Sequence, residues 1–393
     1  MSLATRLDRL RGQAPAAAPC DGPALRLDRI GRRQSSSPGG GIDPDRLAQA
    51  LNGEMVEDGL VLCRQPYRLA EAGAAASDLA MLPEVHGLGA ADWLYIDTET
   101  TGLSGGVGNL AFAVGVARFT DRAQIEVRQY LLGSYAAEAA MLRLLGEWIG
   151  QRAVLVSYNG KGFDLPVLSA RSALHRIDSA LSELPHLDLL YAVRRAYRDH
   201  WPDCRLQTAE RRLLALHRVD DLPGAQAPAA WHAWLRCGET ARLGRVLRHN
   251  YQDVVSLALL HQRLIEVYAG RPVAGINHAA IVRAWWDIGQ VRQAHNVCER
   301  AAGYLDDNGQ LVLAQLYRRQ GDWARAEQLW LALHARGHAE ASLALSKLYE
   351  HRLRDYQKAL SFAVHCDPRE HQARLRRLHQ KIGSNLELPL AAQ

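Results

Sequence analysis

Between Trp93 and Leu132 the chain passes through three runs of β character, WLYID, LAFAVGVARF and IEVRQYLL. Gly-rich or polar turns separate them, which suits antiparallel pairing. The next segment, AAEAAMLRLLGEWI, repeats its apolar residues at helical spacing and leads into AVLVSYN, a short apolar run of the kind covered on both faces. A helix before such a strand implies a parallel partner. Together these elements predict an α/β domain with a mixed sheet and flanking helices. After Phe163 the pattern is helical almost throughout, with a loop rich in Pro and Gly at 220–229 and one long helix from about 239 to 268. Upstream, from 47 to about 88, short runs such as Leu60-Val61-Leu62 between Gly and Pro breakers predict a hairpin and turns packed on the following domain.

Beyond Pro272 the pattern becomes one of repeating helix pairs. AWWDIGQVRQA, AQLYRRQGDWARA and SKLYEHRLRDYQKA align Trp285, Tyr317 and Tyr349, then Ala294, Ala326 and Ala359, at a period of 32–33 residues. This resembles the tetratricopeptide repeat family, whose unit is a helix-turn-helix of about 34 residues with a small residue in the second helix. Gly321-Asp322 and Ala326 match best, whereas the third copy has Arg354 where the turn glycine should stand. The resemblance implies an all-α repeat domain that recruits a protein partner.

At 393 residues the chain exceeds what one hydrophobic core organises, so two folded domains with linkers are expected. The expected division is an arm at 1–44, an N-terminal extension at 45–90, the α/β domain at 91–268, the repeats at 275–383 and a tail at 384–393. The arm mixes Ala, Pro, Gly, Ser and Arg and has too little apolar surface to repay ordering entropy. No apolar run approaches the roughly 20 residues that span a bilayer, and the start lacks the layout of a secretory signal. A cytoplasmic protein with no membrane association is expected. Six scattered cysteines without a CxxC pair argue against a zinc site or a disulfide framework. A net charge of +5 permits a polyanionic partner without requiring one. Lysine occurs only at Lys161, Lys347, Lys358 and Lys381, and arginine elsewhere, so arginine richness is a compositional bias and weak evidence for phosphate recognition.

The acids carry more. Asp97 and Glu99 end the first strand in YIDTETTGL, and alternate positions on a strand share a face, so the two carboxylates converge. Their repulsion is ordinarily relieved by a divalent cation such as Mg²⁺ or Mn²⁺, although DTETTG could also be a polar exit from the strand. Asp164 in SYNGKGFDLPVL follows the buried strand at a helix start, where a capping role competes with a ligand role. Asp253 in RHNYQDVVSLALL has His249 one helical turn before it, an arrangement also common in surface contacts. The combination of all these groups favours a metal site.

These segments resemble the DEDD superfamily of ribonuclease H-like exonucleases. DTETTGL is similar to the first motif of the DnaQ-like members, and YNGKGFDLPVL to the second motif in the exonuclease domains of family B polymerases. Over about 45–268, IDTETTGLSGG, VRQYLL, NGKGFDLPVL, HLDLL, CRL and HNYQDVVSLA together resemble the YprB-type ribonuclease H-like group. The resemblance implies a ribonuclease H-like fold and Asp97, Glu99, Asp164 and Asp253 as ligands of two Mg²⁺ or Mn²⁺ ions. It also implies 3′→5′ hydrolysis of single-stranded or frayed DNA or RNA by a two-metal mechanism that leaves 5′-phosphates. Superfamily subclasses carry Tyr four residues, or His five residues, before the last Asp. Here His249 occupies the tyrosine position and Arg248 the other, so His249 is expected as general base or water-orienter. By the same resemblance Thr100, Thr101, Gly102 and Leu103 approach the terminal nucleotide, though an ordinary turn would account for them too. Lys161 is read as a phosphate contact or a solvated lysine, and Asn159 as bonding the turn that positions Asp164. Asp188 and Arg205 lie in shared segments without a derivable role. Two other functions compete: a non-catalytic nucleic-acid-binding scaffold and a ribonuclease H-like endonuclease.

Near the end, RLRRLHQK sets Arg374, Arg376, Arg377 and Lys381 beside Leu375, Leu378 and Ile382 at amphipathic spacing. Such a helix either caps the repeats, with its basic side in water, or guides a nucleic-acid backbone.

Overall fold

The computed structural model describes residues 43–69, 78–88, 92–102, 108–151 and 153–386. Most of the expected arm, Leu103 and the last part of the tail lie outside them. A short helix α1 (Pro44–Ala50) precedes β1 (Glu54–Glu57) and β2 (Leu60–Arg68). The three predicted strands follow as β3 (Asp92–Thr100), β4 (Ala111–Asp121) and β5 (Gln124–Leu132), then α2 (Glu138–Ile149), β6 (Ala153–Ser157) and α3 (Asp164–Leu174). All strands among the described residues belong to one seven-stranded sheet of order β1-β2-β5-β4-β3-β6-β7, in which β7 is the segment His186–Asp188. The antiparallel β3–β4–β5 meander and the parallel β3–β6 pair are the expected mixed sheet.

Two features depart from the local pattern. The hairpin expected upstream does form, but it extends the sheet instead of packing on it, because β2 pairs along its whole length with β5. The helical reading after Phe163 passes over β7, whose three residues are too few to show a period and whose signal is its parallel pairing with β6.

Helix α4 (Leu189–Tyr197) follows β7 directly, and α5 (Leu206–Ala209) runs on into a π-helical turn, Glu210–Leu214. The loop at 220–229 ends earlier than its composition implies: α6 (Ala227–Cys237) starts with Pro228 in its first turn, where a missing N–H costs nothing. The long helix is α7 (Ala241–Tyr268). Trp231 and Trp234 of α6 are fully buried, and their indole N–H groups donate to Leu132 O at 2.6 Å and Gly133 O at 2.8 Å. Either Trp→Ala change would cost about 3–5 kcal/mol and undock α6 from the sheet.

Alternation along β3 places Trp93 and Tyr95 in the core shared with α4 and the second half of α7, and Leu94 and Ile96 in the core shared with α2 and α3. Asp97 and Glu99 continue the first of these faces.

The C-terminal region is all-helical, in pairs: α8 (His278–Asp287) with α9 (Val291–Arg300), α10 (Asp307–Gln320) with α11 (Trp323–Ala335), and α12 (Ala339–His351) with α13 (Tyr356–Ala363). Each intra-pair turn has one left-handed residue, Gly289, Gly321 and Arg354, at φ of 78°, 84° and 54°. The third copy therefore keeps the turn without the glycine, at a backbone cost of about 1 kcal/mol. Ala294, Ala326 and Ala359 are all fully buried where the paired helices meet. The first pair is continuous with the α/β core: Trp285 is buried against α7 and donates to Tyr268 O at 3.1 Å, and Asn277 N donates to Ala196 O at 2.8 Å.

The last helix, α14 (Pro368–Leu386), buries Leu378 against Ala359 and Ala363. Its basic side does not simply face water. Arg374, Arg377 and Lys381 converge on the buried carboxylate of Glu350 at 2.7, 2.8 and 2.9 Å, which fits a cap better than a nucleic-acid guide. No helix among the described residues is long and apolar enough to cross a membrane. Cys63, Cys204 and Cys298 are free thiols.

Candidate active site

Asp97, Glu99, Asp164, His249 and Asp253 come together where β3 ends beneath α7. Asp164 is the first residue of α3, and its carboxylate turns away from a capping role toward β3. There it accepts from the Thr98 amide at 3.2 Å and from the Thr98 hydroxyl. Asp97 is held from above: Asn250 of α7, fully buried, donates from Nδ2 to Asp97 Oδ2 at 2.9 Å. The opposite side of the Asn250 amide accepts from Gln129 Nε2 at 2.9 Å, and Gln129 also donates to Leu247 O at 2.7 Å. Asp97, Gly115 and Gln129 lie in one row across β3, β4 and β5. The helix can approach this row because Gly115 has no side chain: a Cβ there would stand 2.8 Å from Asn250 Cγ and closer still to Oδ1.

The acids perturb one another. Burial, then the charges of Asp253, Asp164 and Glu99, push the Asp97 carboxyl well above its usual range, against the Asn250 hydrogen bond. Burial and the charges of Asp253, Asp164 and Asp221 do the same to Glu99, while Arg218 opposes. Asp164 is raised to about 6, chiefly by burial and despite its bonds from Thr98. Asp253 is raised by burial, with His249 and Arg218 pulling the other way. Each uncompensated buried charge of this kind costs several kcal/mol.

Beside the acids lies a group of residues that motif reading did not find. Arg218 donates to both oxygens of Glu210, at 2.8 and 2.6 Å, and to Asp253 Oδ1. The π-helical turn brings Glu210 there, and left-handed Ala215 and Asp220 (φ 53° and 54°) shape the loop that carries Arg218 and Asp221. Asp221 Oδ1 lies 2.6 Å from His249 Nδ1. The other ring nitrogen, Nε2, faces Asp253 Oδ2 at 3.5 Å and Glu99 Oε1 at 4.0 Å.

Among the described residues, no group of three or more His, Cys, Asp or Glu side chains is already drawn into the geometry of a metal centre. The donor set nevertheless suits a hard divalent cation: four carboxylates, each raised by burial, with Asp97 and Glu99 raised further by the other acids.

The remaining predicted residues stand outside this cluster or shape the chain around it. Thr100 Oγ1 donates to Gly102 O at 2.8 Å, and Thr101 exchanges backbone and side-chain bonds with Leu110, so these residues stitch the β3 exit to the start of β4. Asn159 acts through its backbone: it is left-handed (φ 67°), and its amide donates to Asp188 Oδ1 at 2.7 Å. Asp188 thus holds the turn before Asp164, taking the Lys161 amide at 3.2 Å as well and capping α4. The Lys161 side chain is exposed, and its charge adds to burial in lowering His186 to about 4. Arg205 stands at the start of α5, its amide bonded to Asp203.

Three signals for the missed residues were present: Asn250 is a polar residue on the apolar side of α7, Gln129 interrupts an apolar strand, and Gly115 sits in a strand interior. Arg218 and Asp221 carry none, since their partners on α7 lie about thirty positions further along the chain.

A family model described as RNase_H superfamily matches residues 94–265. The uncharacterized protein YprB of Bacillus subtilis (strain 168) is 32% identical over 288 residues, 68% of this chain and 67% of its own. A UDP-N-acetylmuramoyl-tripeptide--D-alanyl-D-alanine ligase of Mycobacterium tuberculosis (strain ATCC 25618 / H37Rv) is 27% identical over 99 residues, 25% of this chain and 19% of the ligase. Among solved structures, the family B DNA polymerase from the hyperthermophilic archaeon Pyrobaculum calidifontis matches 58% of this chain and 29% of its own, at 16% identity and a TM-score of 0.37. With a ribonuclease H-like sheet, the acids of its motifs gathered at one end and this extent of identity to YprB, the chain belongs to the YprB-type group of the RNase_H superfamily.

Proposed function

We propose that the chain is a divalent-metal-dependent nuclease that removes nucleotides from the 3′ end of single-stranded or frayed DNA or RNA. The observation that carries this reading is the crowding of four acids, Glu99, Asp164 and Asp253 buried and Asp97 half-buried, with Asp97 and Glu99 held well above their usual range, beneath a histidine whose Nε2 faces two of the four. When bound between Asp97, Glu99, Asp164 and Asp253, two Mg²⁺ or Mn²⁺ ions would supply the Lewis acidity that activates water and offsets charge on the leaving oxygen. Asn250 and Thr98 orient two of the carboxylates, and Arg218 orients a third. His249 takes the proton of the attacking water or aligns it, from a ring nitrogen aimed across Glu99 and Asp253. The helical repeats, read as tetratricopeptide-like, recruit a protein partner through the groove of about 920 Å³ lined by Leu311, Trp323, Trp330, Leu343 and Lys347.

The test offers purified protein 5′-labelled and 3′-labelled DNA and RNA oligonucleotides with Mg²⁺ or Mn²⁺, beside Asp97→Asn. A ladder shortening from the 3′ end, absent in the variant, is expected. Discrete internal cuts would replace the exonuclease reading with an endonuclease, and intact substrate under all conditions would leave a scaffold.

A further inference from the structure

We propose that Asp221 is a positioning residue that forms a dyad with His249, fixing the imidazole with its proton on Nδ1 and its Nε2 lone pair directed over the acid cluster. This deepens the nuclease reading above and rests on it for its kinetic consequence.

The two ring nitrogens meet different surroundings. At Nδ1, the Asp221 carboxylate stands 2.6 Å away, and a carboxylate can only accept, so the nitrogen must carry the hydrogen. Arg218 Nη1 also lies near Nδ1, at 3.1 Å, but it cannot donate to a nitrogen that is itself donating. The shorter, charge-assisted contact to Asp221 prevails. At Nε2, among the described residues, the carboxylates of Asp253 and Glu99 are near, at 3.5 and 4.0 Å, both beyond a good hydrogen bond.

Asp221 is itself held in place. Its Oδ2 accepts from Arg218 Nη1 at 3.3 Å and from Gln207 Nε2 at 3.1 Å, leaving Oδ1 for the histidine. Asp220 is left-handed, and its carbonyl accepts from Arg245 Nη2 at 3.3 Å, which ties the loop to α7 one turn before His249. The same Arg218 bridges Asp221, Glu210 and Asp253, so the residue that orients the imidazole and the acid the imidazole faces share one clamp.

The donors on Oδ2 make Asp221→Asn informative. Arg218 and Gln207 would keep the new carbonyl oxygen on their side and turn the amide NH₂ toward Nδ1. The imidazole must then accept at Nδ1, and its proton moves to Nε2. A wrong tautomer of this kind removes the base while leaving the fold intact.

The experiment is a two-bond ¹H–¹⁵N correlation on full-length, metal-free protein with ¹⁵N-labelled histidine, with His249→Gln to assign the resonance among the sixteen histidines. Wild type is expected to show Nδ1 protonated and Nε2 bare, and Asp221→Asn the reverse. In single-turnover cleavage, Asp221→Asn is expected to lower kcat about a hundredfold with KM little changed. A protonated Nε2 in wild type overturns the dyad, and that measurement needs no variant to fold. An unchanged tautomer in Asp221→Asn overturns it too, as does full turnover despite a reversed tautomer. If wild type cleaves no nucleic acid, the nuclease reading fails by itself, and the tautomers still decide whether Asp221 sets the ring.

Discussion

Gly115→Ala should damage the site from a position that touches no carboxylate. The added methyl would lie 2.8 Å from Asn250 Cγ and 2.9 Å from Nδ2, inside van der Waals contact and against a fully buried amide. Overpacking of this kind costs about 1–3 kcal/mol. Displacing the amide also breaks its charge-assisted bond to Asp97 and strands one side of Gln129, for about 1.5–3 kcal/mol more. Alanine recovers about 0.4–1 kcal/mol by restricting the unfolded chain. The net expectation is a loss of about 3 kcal/mol, read as a lower urea midpoint by tryptophan fluorescence, with weaker Mg²⁺ binding because Asp97 loses its orientation. The decisive comparison is Gly115→Ala combined with Asn250→Ala, where the clash has no partner. The double variant should be no less stable than Asn250→Ala alone, within about 0.5 kcal/mol. If the two losses simply add, the close approach of α7 to β4 is not what makes the glycine necessary.

Replacing Asp97 or Asp253 by Asn should lower turnover about a thousandfold, roughly 4 kcal/mol of barrier. In EDTA the Asp97→Asn protein should be the more stable by thermal melting, because a repelled buried charge is gone, whereas saturating Mg²⁺ should raise the melting temperature of wild type alone; equal shifts in both would remove Asp97 from the cation site. His249→Ala should cost about a hundredfold in turnover with Mg²⁺ affinity nearly unchanged, and activity within a few-fold of wild type would make the histidine structural. Burial alone would raise Glu350, but hydrogen bonds from Arg377 and Lys381, with the charges of Arg377 and His351, hold it down at about 2. Its contribution to docking α14 should therefore be complete above the ordinary carboxylate range and be lost as pH falls toward 2, with hydrogen exchange in α14 rising. Glu350→Gln should loosen the same helix already at pH 7, by about 3–5 kcal/mol. Changing Arg374, Arg376 and Arg377 to Gln should leave the salt dependence of single-strand binding as it is in wild type, because two of the three serve Glu350; a shallower slope would restore a guiding role.

Local pattern revealed the elements that are long or strongly apolar. The β3–β4–β5 meander, β6 and α7 were readable because runs of nine or more residues, or a wholly buried strand, leave a clear period. The edge hairpin was readable as a hairpin but not as part of the sheet, since β2 meets β5 between 56 (Arg68 to Gln124) and 72 (Leu60 to Leu132) residues away and nothing local encodes that pairing. Pro228 looked like a breaker and is a helix start, two uses of one fixed φ that composition cannot separate. At the site, the acids stood out by spacing and by motif, as did His249. The residues that aim them did not: Asp221 and Arg218 acquire meaning only once the loop folds onto α7, and Asp188 serves a turn that lies on a different strand connection. Lys161, conspicuous in the sequence as one of four lysines, has an exposed side chain.

The continuous core between α7 and the first helical pair has a mechanical meaning. With Trp285 anchored on Tyr268 and Asn277 bonded to Ala196, the helical array leaves the α/β sheet as a bracket fixed at its root. A partner docked as proposed in the groove near Trp323 and Trp330 would then be delivered at a set distance and bearing from Asp97. A flexible tether would spread that delivery over a cloud of positions, and its effective concentration would fall as the tether lengthened. A bracket works as a gauge instead, so that inserting a helical pair into the array would move the cargo by a fixed step and change which part of a bound strand can reach the carboxylates.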